Sequence, residues 1–351
     1  MSRWPDDRIL ELLGIEIPII QAPMAGSDSV ALARAVSAAG GLGSLGCALL
    51  SSEELREAAA ALGGTPFHLN FFCHTITAPD PAAIEKWRAV LRPHYEQYGL
   101  DIGAVASTRL RMPFGEDTCA LVEEIAPKVV SFHFGLPAAA LVERLKQRRI
   151  TILSTATSVT EAKWLEGRGC DAIVVQGIEA GGHRGMFLET DTATQTGLFA
   201  LLPQIADQVS VPVIAAGGIA DGRGIRAAFA LGASAVQVGT AYLFCPEARV
   251  SLLYRKALEE VADNGTALTN LFSGRPARGI VNRYMRECGF LSDAALPFPH
   301  AATMVAPLRA ASEKAGSVDY LQMWAGQAAP LGKRMGAEEL TRKLAADALG
   351  S

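Results

Sequence analysis

The stretch GIEAGGHRG, residues 177–185, combines residue types that can do chemistry. It holds four glycines in nine residues, with His183 beside them, and it follows the apolar run AIVVQ. Glycines let the backbone approach a ligand closely, and a histidine exchanges a proton near pH 7. The stretch therefore predicts a ligand over the glycines with His183 directed at it. The alternative is a loop histidine that only satisfies a backbone carbonyl.

Two further glycine motifs follow in order, PVIAAGGIADGRGI (212–225) and AVQVGTAYL (235–243). In the first, Gly217 and Gly218 end an apolar run, and in the second an apolar run ends at Gly239 and Thr240. Backbone N–H groups freed at such turns, next to a helix start, bind phosphate. The pair predicts a phosphate site, and ordinary tight turns are the alternative.

Other polar or flat side chains stand at the ends of further apolar runs. Pro23 and Met24, in QAPM, are suited to line a planar ring, although they could simply pack. Asn70 and Gln176 each place a carboxamide in an apolar setting, where it needs hydrogen-bond partners. His133 ends the fourth run and is predicted to face the same pocket, with a core histidine as the alternative.

These positions are brought together if the apolar runs are the strands of one barrel. Continuous apolarity, without alternation, is typical of parallel strands covered on both faces. Helical patterns separate most of the runs, for example 29–40, 51–64, 137–149, 158–169 and 221–232. Eight such units predict an α/β fold of the (β/α)8 barrel type, with an open doubly wound sheet as the alternative. The eight runs are 18–24, 41–46, 67–72, 129–135, 151–157, 172–177, 212–218 and 235–240.

Two regions exceed a minimal barrel unit. Residues 74–128 are predicted to be an insertion with extra helices. Residues 246–351 are predicted to be a mostly helical extension, with a helix at 246–262 and a link at 273–280. The predicted organisation is thus a barrel over 1–245 and an extension over 246–351 that covers the barrel mouth.

Composition limits the function classes. The chain has 351 residues, 50% hydrophobic and 19% charged, which is enough apolar sequence for a large core. A net charge of −4 gives no reason to expect nucleic acid or an anionic membrane as a partner. No secretory signal or membrane-spanning run is seen, and no two of the six cysteines form a CxxC metal or redox motif. We therefore predict a cytoplasmic monomer or homodimer without a metal site.

Six motifs together resemble class I nitronate monooxygenases. They are QAPMAG, NFFCH, VSFHFG, QGIEAGGHRG, AAGGIADGRGIRAAFALGASAVQVGTA and WAGQ. The resemblance implies FMN at the C-terminal mouth of the barrel. It also implies oxidation of an alkyl nitronate with O2, giving a carbonyl compound and nitrite.

The same resemblance implies roles for individual residues. His183 would be the base or hydrogen-bond partner of the nitro group, and His133 would share the substrate pocket. Asn70 and Gln176 would bind the polar edge of the flavin. The remaining cofactor contacts would be Ala22, Pro23 and Met24 at the flavin ring, Gly181, Gly182, Gly217, Gly218, Gln237, Gly239 and Thr240 at the ribityl chain and phosphate, and Gln327 from the extension.

The substrate half departs from the family pattern. The family's tyrosines and lysine are missing from segments 106–117 and 296–308, and His300, Arg109 and Arg111 are the candidate replacements for the lysine. Three rival functions stay open at this point: an NAD(P)H-dependent quinone or enoyl-thioester reductase, a flavin-free phosphosugar enzyme, and a non-catalytic flavin-binding protein.

Overall fold

The structure is a computed structural model that describes residues 4–104 and 110–350. Its centre is an eight-stranded parallel sheet with the strand order β1-β9-β8-β6-β5-β4-β3-β2. These strands are β1 (Ile19–Gln21), β2 (Gly43–Gly46), β3 (Phe67–Phe72), β4 (Val129–His133), β5 (Thr151–Ala156), β6 (Ala172–Gln176), β8 (Val213–Ala216) and β9 (Ala235–Val238). Each lies within one of the eight apolar runs.

The sheet closes into a barrel between its first and last strands. Ile20 of β1 pairs in parallel with Leu42, just before β2. The N–H of Gln21 donates to the carbonyl of Leu42 at 2.9 Å, and the N–H of Leu42 donates to the carbonyl of Ile19 at 3.0 Å. The predicted (β/α)8 barrel is therefore confirmed, and the open-sheet alternative is wrong.

Helices surround the strands and follow the local start signals. Ser51 and Glu54 form a capping box at the start of α3 (Ser52–Leu62), and Ser29 caps α2 (Val30–Ala38) by accepting from the N–H of Leu32. The helical pattern predicted over 137–149 starts two residues too early, since α6 (Ala139–Gln147) begins at Ala139. Helices of the barrel region are α1 (Arg8–Leu13), α2 (Val30–Ala38), α3 (Ser52–Leu62), α4 (Pro81–Gln97), α5 (Glu116–Ile125), α6 (Ala139–Gln147), α7 (Val159–Glu166), α8 (Leu198–Ala206), α9 (Gly222–Ala230) and α10 (Thr240–Leu243).

The barrel interior is closed at its N-terminal end by α1. Ile9 and Leu13 of this helix are fully buried and pack with the inward side chains Ile20, Leu153 and Ile214. Position 43 in β2 requires glycine for a steric reason, since a Cβ there would lie 2.0 Å from the carbonyl oxygen of Ala33 in α2. With one end filled, the C-terminal end is the part of the barrel that is left to bind a ligand.

The two extra regions pack against each other. Trp87 and Tyr95 of α4 share one buried cluster with Tyr284, Met304 and Tyr320 from the chain after the barrel. We call this unit, α4 together with residues 264–331, the cap. Its later elements are β10 (Thr266–Thr269), β11 (Ala277–Ile280), α12 (Arg283–Cys288) and α13 (Ala301–Lys314).

The extension is less helical than predicted. The link expected at 273–280 is wrong, because Ala277–Ile280 is the central strand of an antiparallel sheet. Its neighbours are β10 and β7 (Gly182–His183), so the cap pairs directly with the loop that holds His183. The helix expected at 246–262 is shorter, α11 (Leu252–Glu260).

The last helix, α14 (Ala337–Leu349), lies on the outside of the barrel. It contacts α2 and α9, and Thr341 exchanges a hydrogen bond of 2.8 Å with the Tyr242 hydroxyl. It therefore covers the barrel wall instead of the mouth. The domain boundary at 245 stays a prediction. Among the described residues, no helix has the length and apolarity needed to cross a bilayer.

Candidate active site at the C-terminal end of the barrel

A cavity, partly open to solvent, lies over the C-terminal ends of the strands. The strand ends and the cap line it, which is the usual place for the active site of such a barrel. The structure brings together every predicted site residue except Gln327. Those residues are Ala22, Pro23, Met24, Asn70, His133, Gln176, Gly181, Gly182, His183, Gly217, Gly218, Gln237, Gly239 and Thr240.

Gln327 is the exception because the residues on either side of it in the turn, and not Gln327 itself, contact the cavity. The Gln327 side chain is exposed, and its N–H donates to the carbonyl of Glu179 at 2.9 Å. Gly326 and Ala328 line the cavity in its place. A Cβ on Gly181 would lie 2.6 Å from the backbone nitrogen of Gly326, so the two backbones touch only because both residues are glycine.

One end of the cavity is built from backbone donors. Gly217 and Gly218 have φ of +108° and +71°, a region that favours glycine. The N–H groups of Gly218 and Gly239 meet no hydrogen-bond acceptor among the described residues. The Thr240 hydroxyl oxygen accepts from the N–H of Gly326 at 3.0 Å, which leaves its own proton free to donate. Free donors grouped in this way suit a phosphate.

The loop that carries His183 is fixed from inside. Arg184, 1% exposed, donates to the carbonyl oxygens of Gly177 at 2.7 Å and Gln176 at 2.9 Å. The Gln176 carboxamide donates to the carbonyl of His183 at 3.0 Å and accepts from the N–H of Gly185 at 2.8 Å. Gln176 therefore serves the loop first, with one amide N–H left for a ligand.

His183 is held by the cap and surrounded by aromatic rings. Its Nε2 lies 2.9 Å from the Ser273 hydroxyl, and its ring centroid lies 5.5 Å from those of Phe298 and Trp324. Burial, and then the charge of Arg111, hold the pKa of His183 well below its ordinary value. The imidazole is thus neutral at pH 7, and its Nδ1 has no partner among the described residues.

His133 supports His183 instead of duplicating it. Its Nε2 lies 3.1 Å from the carbonyl oxygen of His183, so Nε2 carries the proton and donates. Its Nδ1 lies 3.1 Å from the Thr155 hydroxyl. Burial lowers the pKa of His133 to about 4. With both nitrogens engaged, His133 fixes the backbone position of its neighbour.

The mouth end of the cavity carries one partly buried cation among the described residues. Arg111 lines it, and the Nη1 of Arg111 is buried without a hydrogen-bond partner. No Asp or Glu stands among the described lining residues. Of the three candidate replacements for the lysine, Arg111 is placed in the cavity, His300 is not among the lining residues, and Arg109 lies outside the described residues.

Sequence reasoning missed several residues of this end. Tyr254 and Trp324 line the cavity, with the Tyr254 hydroxyl donating to the carbonyl of Trp324. Ser273 and Phe298 reach His183 from the cap. No local signal marks them, because they come from chain segments that follow the barrel. Arg184 did have a signal, as a charged residue within the glycine-rich loop.

Comparison with known proteins places this geometry in a family. A family model described as nitronate monooxygenase matches residues 6–347. A nitronate monooxygenase of Pseudomonas aeruginosa is 43% identical over 350 residues, covering 98% of this chain and 99% of that protein. The solved nitroalkane oxidase of Streptomyces ansochromogenes is 35% identical with a TM-score of 0.87, covering 97% of this chain and 98% of its own. FabK of Thermotoga maritima is 26% identical with a TM-score of 0.72, covering 97% and 95%.

Proposed function

The chain belongs to the nitronate monooxygenase family of oxidoreductases, and from that premise we propose that it binds FMN and oxidises alkyl nitronates with O2. The products are a carbonyl compound and nitrite. The observation that carries the proposal is one cavity with a cluster of phosphate-binding backbone donors at one end. At its other end, the cavity has a neutral histidine beside the partly buried guanidinium of Arg111.

The residues present fit FMN. The free N–H groups of Gly218 and Gly239, with the Thr240 hydroxyl, provide donors for a phosphate. Pro23 and Met24 give the same cavity an apolar wall, and Gln237 lines it with a further carboxamide. The chemistry that bound FMN supplies is acceptance of electrons from the nitronate and their delivery to O2.

The substrate end suits an anion. An alkyl nitronate carries a negative charge on its nitro oxygens, and the guanidinium of Arg111 is the charged group that lines the described cavity. A hydrogen bond to a charged group in a buried site is worth about 1.5–3 kcal/mol. Arg111 therefore attracts and orients the nitronate, while the rings of Phe72 and Trp324 exclude water.

His183 handles the proton and the nitro group. Because its pKa is depressed, His183 is neutral at pH 7 and offers the lone pair of an unprotonated ring nitrogen. With a neutral nitroalkane, that nitrogen can remove the proton of the carbon next to the nitro group. With a nitronate, no proton need be removed, and the imidazole orients the nitro group.

The first experiment follows the absorbance of the purified protein without oxygen. One sample receives ethyl nitronate and a fresh sample receives NADH. We expect a yellow protein whose flavin spectrum changes with nitronate and stays unchanged with NADH. Rapid bleaching by NADH and no response to nitronate would instead establish the reductase alternative. A colourless protein with no extractable flavin would contradict both.

A further inference from the structure

A chain of buried polar side chains crosses the barrel interior from β1 to the cavity. Gln21, Ser44 and His68 are fully buried, and Ser131 and Asn70 are 4% and 7% exposed. Only the last two line the cavity. We call this set the polar relay. The proposed reaction makes no use of its inner members, so their presence in an otherwise apolar barrel needs another explanation.

The direction of hydrogen-bond donation along the relay is determined at its inner end, at Ser44. The Ser44 hydroxyl hydrogen-bonds the backbone carbonyl oxygen of Gln21. A carbonyl oxygen can only accept, so the Ser44 proton is committed to it. The Ser44 oxygen also lies 2.8 Å from Nδ1 of His68. In this second bond, Ser44 must accept and His68 Nδ1 must carry the proton.

The middle of the relay then has one consistent arrangement. Burial lowers the pKa of His68 to about 3, so its imidazole is neutral and has a single N–H. Since Nδ1 holds the proton, Nε2 is a bare acceptor. Nε2 hydrogen-bonds the Ser131 hydroxyl, which therefore donates its proton to His68.

The direction of hydrogen-bond donation at Ser131 also determines the orientation of Asn70, at the outer end of the relay. Having donated to His68, the Ser131 oxygen can only accept from Asn70, which lies 2.7 Å away. The Asn70 atom facing it must be the amide nitrogen. The backbone carbonyl of Ser131, 3.4 Å from the same nitrogen, requires the same orientation. The hydrogen-bond network therefore determines the orientation of the Asn70 amide.

We propose that the polar relay holds Asn70, which the family resemblance already assigns to the polar edge of the flavin, with its carbonyl oxygen Oδ1 toward the cavity. Asn70 is then an acceptor subsite for an N–H donor of the bound ligand. His68 is a positioning residue that acts through Ser131. The proposed function is needed only for naming the ligand. FMN carries such a donor at N3 of its ring, whereas a ligand with only acceptors at this point would face the Asn70 oxygen unpaired.

The relay is tested first without any cofactor or activity. Nitrogen-15 NMR of the full-length protein, with histidine labelled in the ring, reports which nitrogen of His68 carries the proton. The expected result is a protonated Nδ1 and a bare Nε2, unchanged from pH 8 to pH 6. Protonation at Nε2 would overturn the proposal, because Ser131 would then be free to donate to Asn70.

A remote variant tests the link to the ligand. Ser44→Ala removes the acceptor of the Nδ1 proton. The His68 tautomer with its proton on Nε2, donated to Ser131, then becomes the more stable one. The Ser131 hydroxyl then turns to Asn70, whose amide N–H groups turn to the cavity. We expect the His68 signal to change to the other tautomer and the dissociation constant of FMN to rise roughly fivefold, the loss of one hydrogen bond.

Ser154→Ala is the matched control. Ser154 is also fully buried on a barrel strand, and its hydroxyl donates to the carbonyl oxygens of Phe132 and Gly135, outside the relay. It should leave both the tautomer and the FMN affinity unchanged. In an Asn70→Ala background, Ser44→Ala should have no further effect on FMN affinity.

The outcomes separate the two proposals. The expected tautomer together with an FMN affinity unaffected by Ser44→Ala would overturn the subsite. A wild-type protein that binds no FMN would contradict the proposed function. The His68 tautomer would still determine the direction of hydrogen-bond donation along the relay. Equal losses from Ser44→Ala and Ser154→Ala would reduce the effect to general packing and overturn the positioning role.

Discussion

The two ends of the cavity are built in different ways. At the phosphate end, Gly218, Gly239 and Thr240 offer backbone N–H groups and one hydroxyl at the ends of barrel strands. At the mouth end, Arg111 and the cap residue Trp324 offer side chains from segments outside the strands. The donors of the first end come from the ends of barrel strands, with the cap turn at Gly326 packed against Thr240. The second end depends on side chains from segments outside the strands.

This difference teaches where change is tolerated. Backbone donors depend on close approach, so we expect an added side chain at a glycine of the phosphate end to hinder binding there. Side-chain contacts at the mouth can be replaced singly, and we expect each replacement to alter substrate preference while the proposed cofactor stays bound. The absence of the family's lysine and tyrosines from the segments after the barrel and before β4 fits this pattern.

The largest effect is expected at the mouth end, at His183. His183→Ala removes the neutral nitrogen that faces the substrate, and we expect kcat/KM for nitroalkanes to fall roughly 10²- to 10⁴-fold, as for other general bases. Steady-state nitrite release measures it. Ser273→Ala, which removes only the partner of Nε2, should cost much less. Equal losses in the two variants would show that the contact with Ser273 of the cap is as important for activity as the imidazole itself.

A glycine of the phosphate end should come next. Gly181→Ala places a Cβ 2.6 Å from the backbone of Gly326 and pushes the cap turn away. We expect loss of FMN retention and a fall of roughly 100-fold in kcat/KM, the scale of a 1 Å misplacement. Gly182→Ala is the control, since its Cβ meets nothing within 4 Å and only its φ of +75° is unfavourable. Normal flavin content in Gly181→Ala would contradict the claim that the phosphate end depends on close approach of the backbone.

Arg111→Met should affect the mouth end alone. Removing the guanidinium eliminates the charge that attracts the nitronate, and we expect KM for ethyl nitronate to rise roughly tenfold, the lower range for a charged hydrogen bond. Flavin content should stay at the wild-type level, as measured by absorbance of the purified protein. Loss of flavin in this variant would mean that the two ends are not independent.

The smallest effect is a shift in the pH profile. The depressed pKa of His183 keeps its imidazole neutral as pH falls below 6.5, so kcat/KM should hold through that range and drop only at more acidic pH. Arg111 is one cause of the depression, so in Arg111→Met the His183 pKa rises and the acid limb moves to higher pH. Profiles of kcat/KM for both proteins measure this. An acid limb near pH 6.5 in the wild type would contradict the depressed pKa.

The sequence by itself determined the barrel and most of the cavity floor. Buried parallel strands appear as continuous apolar runs, and the residues at their ends meet at one rim because all strands point the same way. Asn70, Gly217 and Gly239 were found in this way, from patterns a few residues long. The family resemblance added their expected roles.

The tertiary structure alone decided the rest. Gln327 was expected in the cavity, but the turn that carries it docks through the backbone of Gly326. Residues 277–280 of the predicted link form a strand because β10 and β7 pair with them, and no local pattern specifies a partner distant in sequence. Arg111 and Ser273 reached the site for the same physical reason. Contacts between remote segments are selected by the packing of the whole chain, which local propensity does not encode.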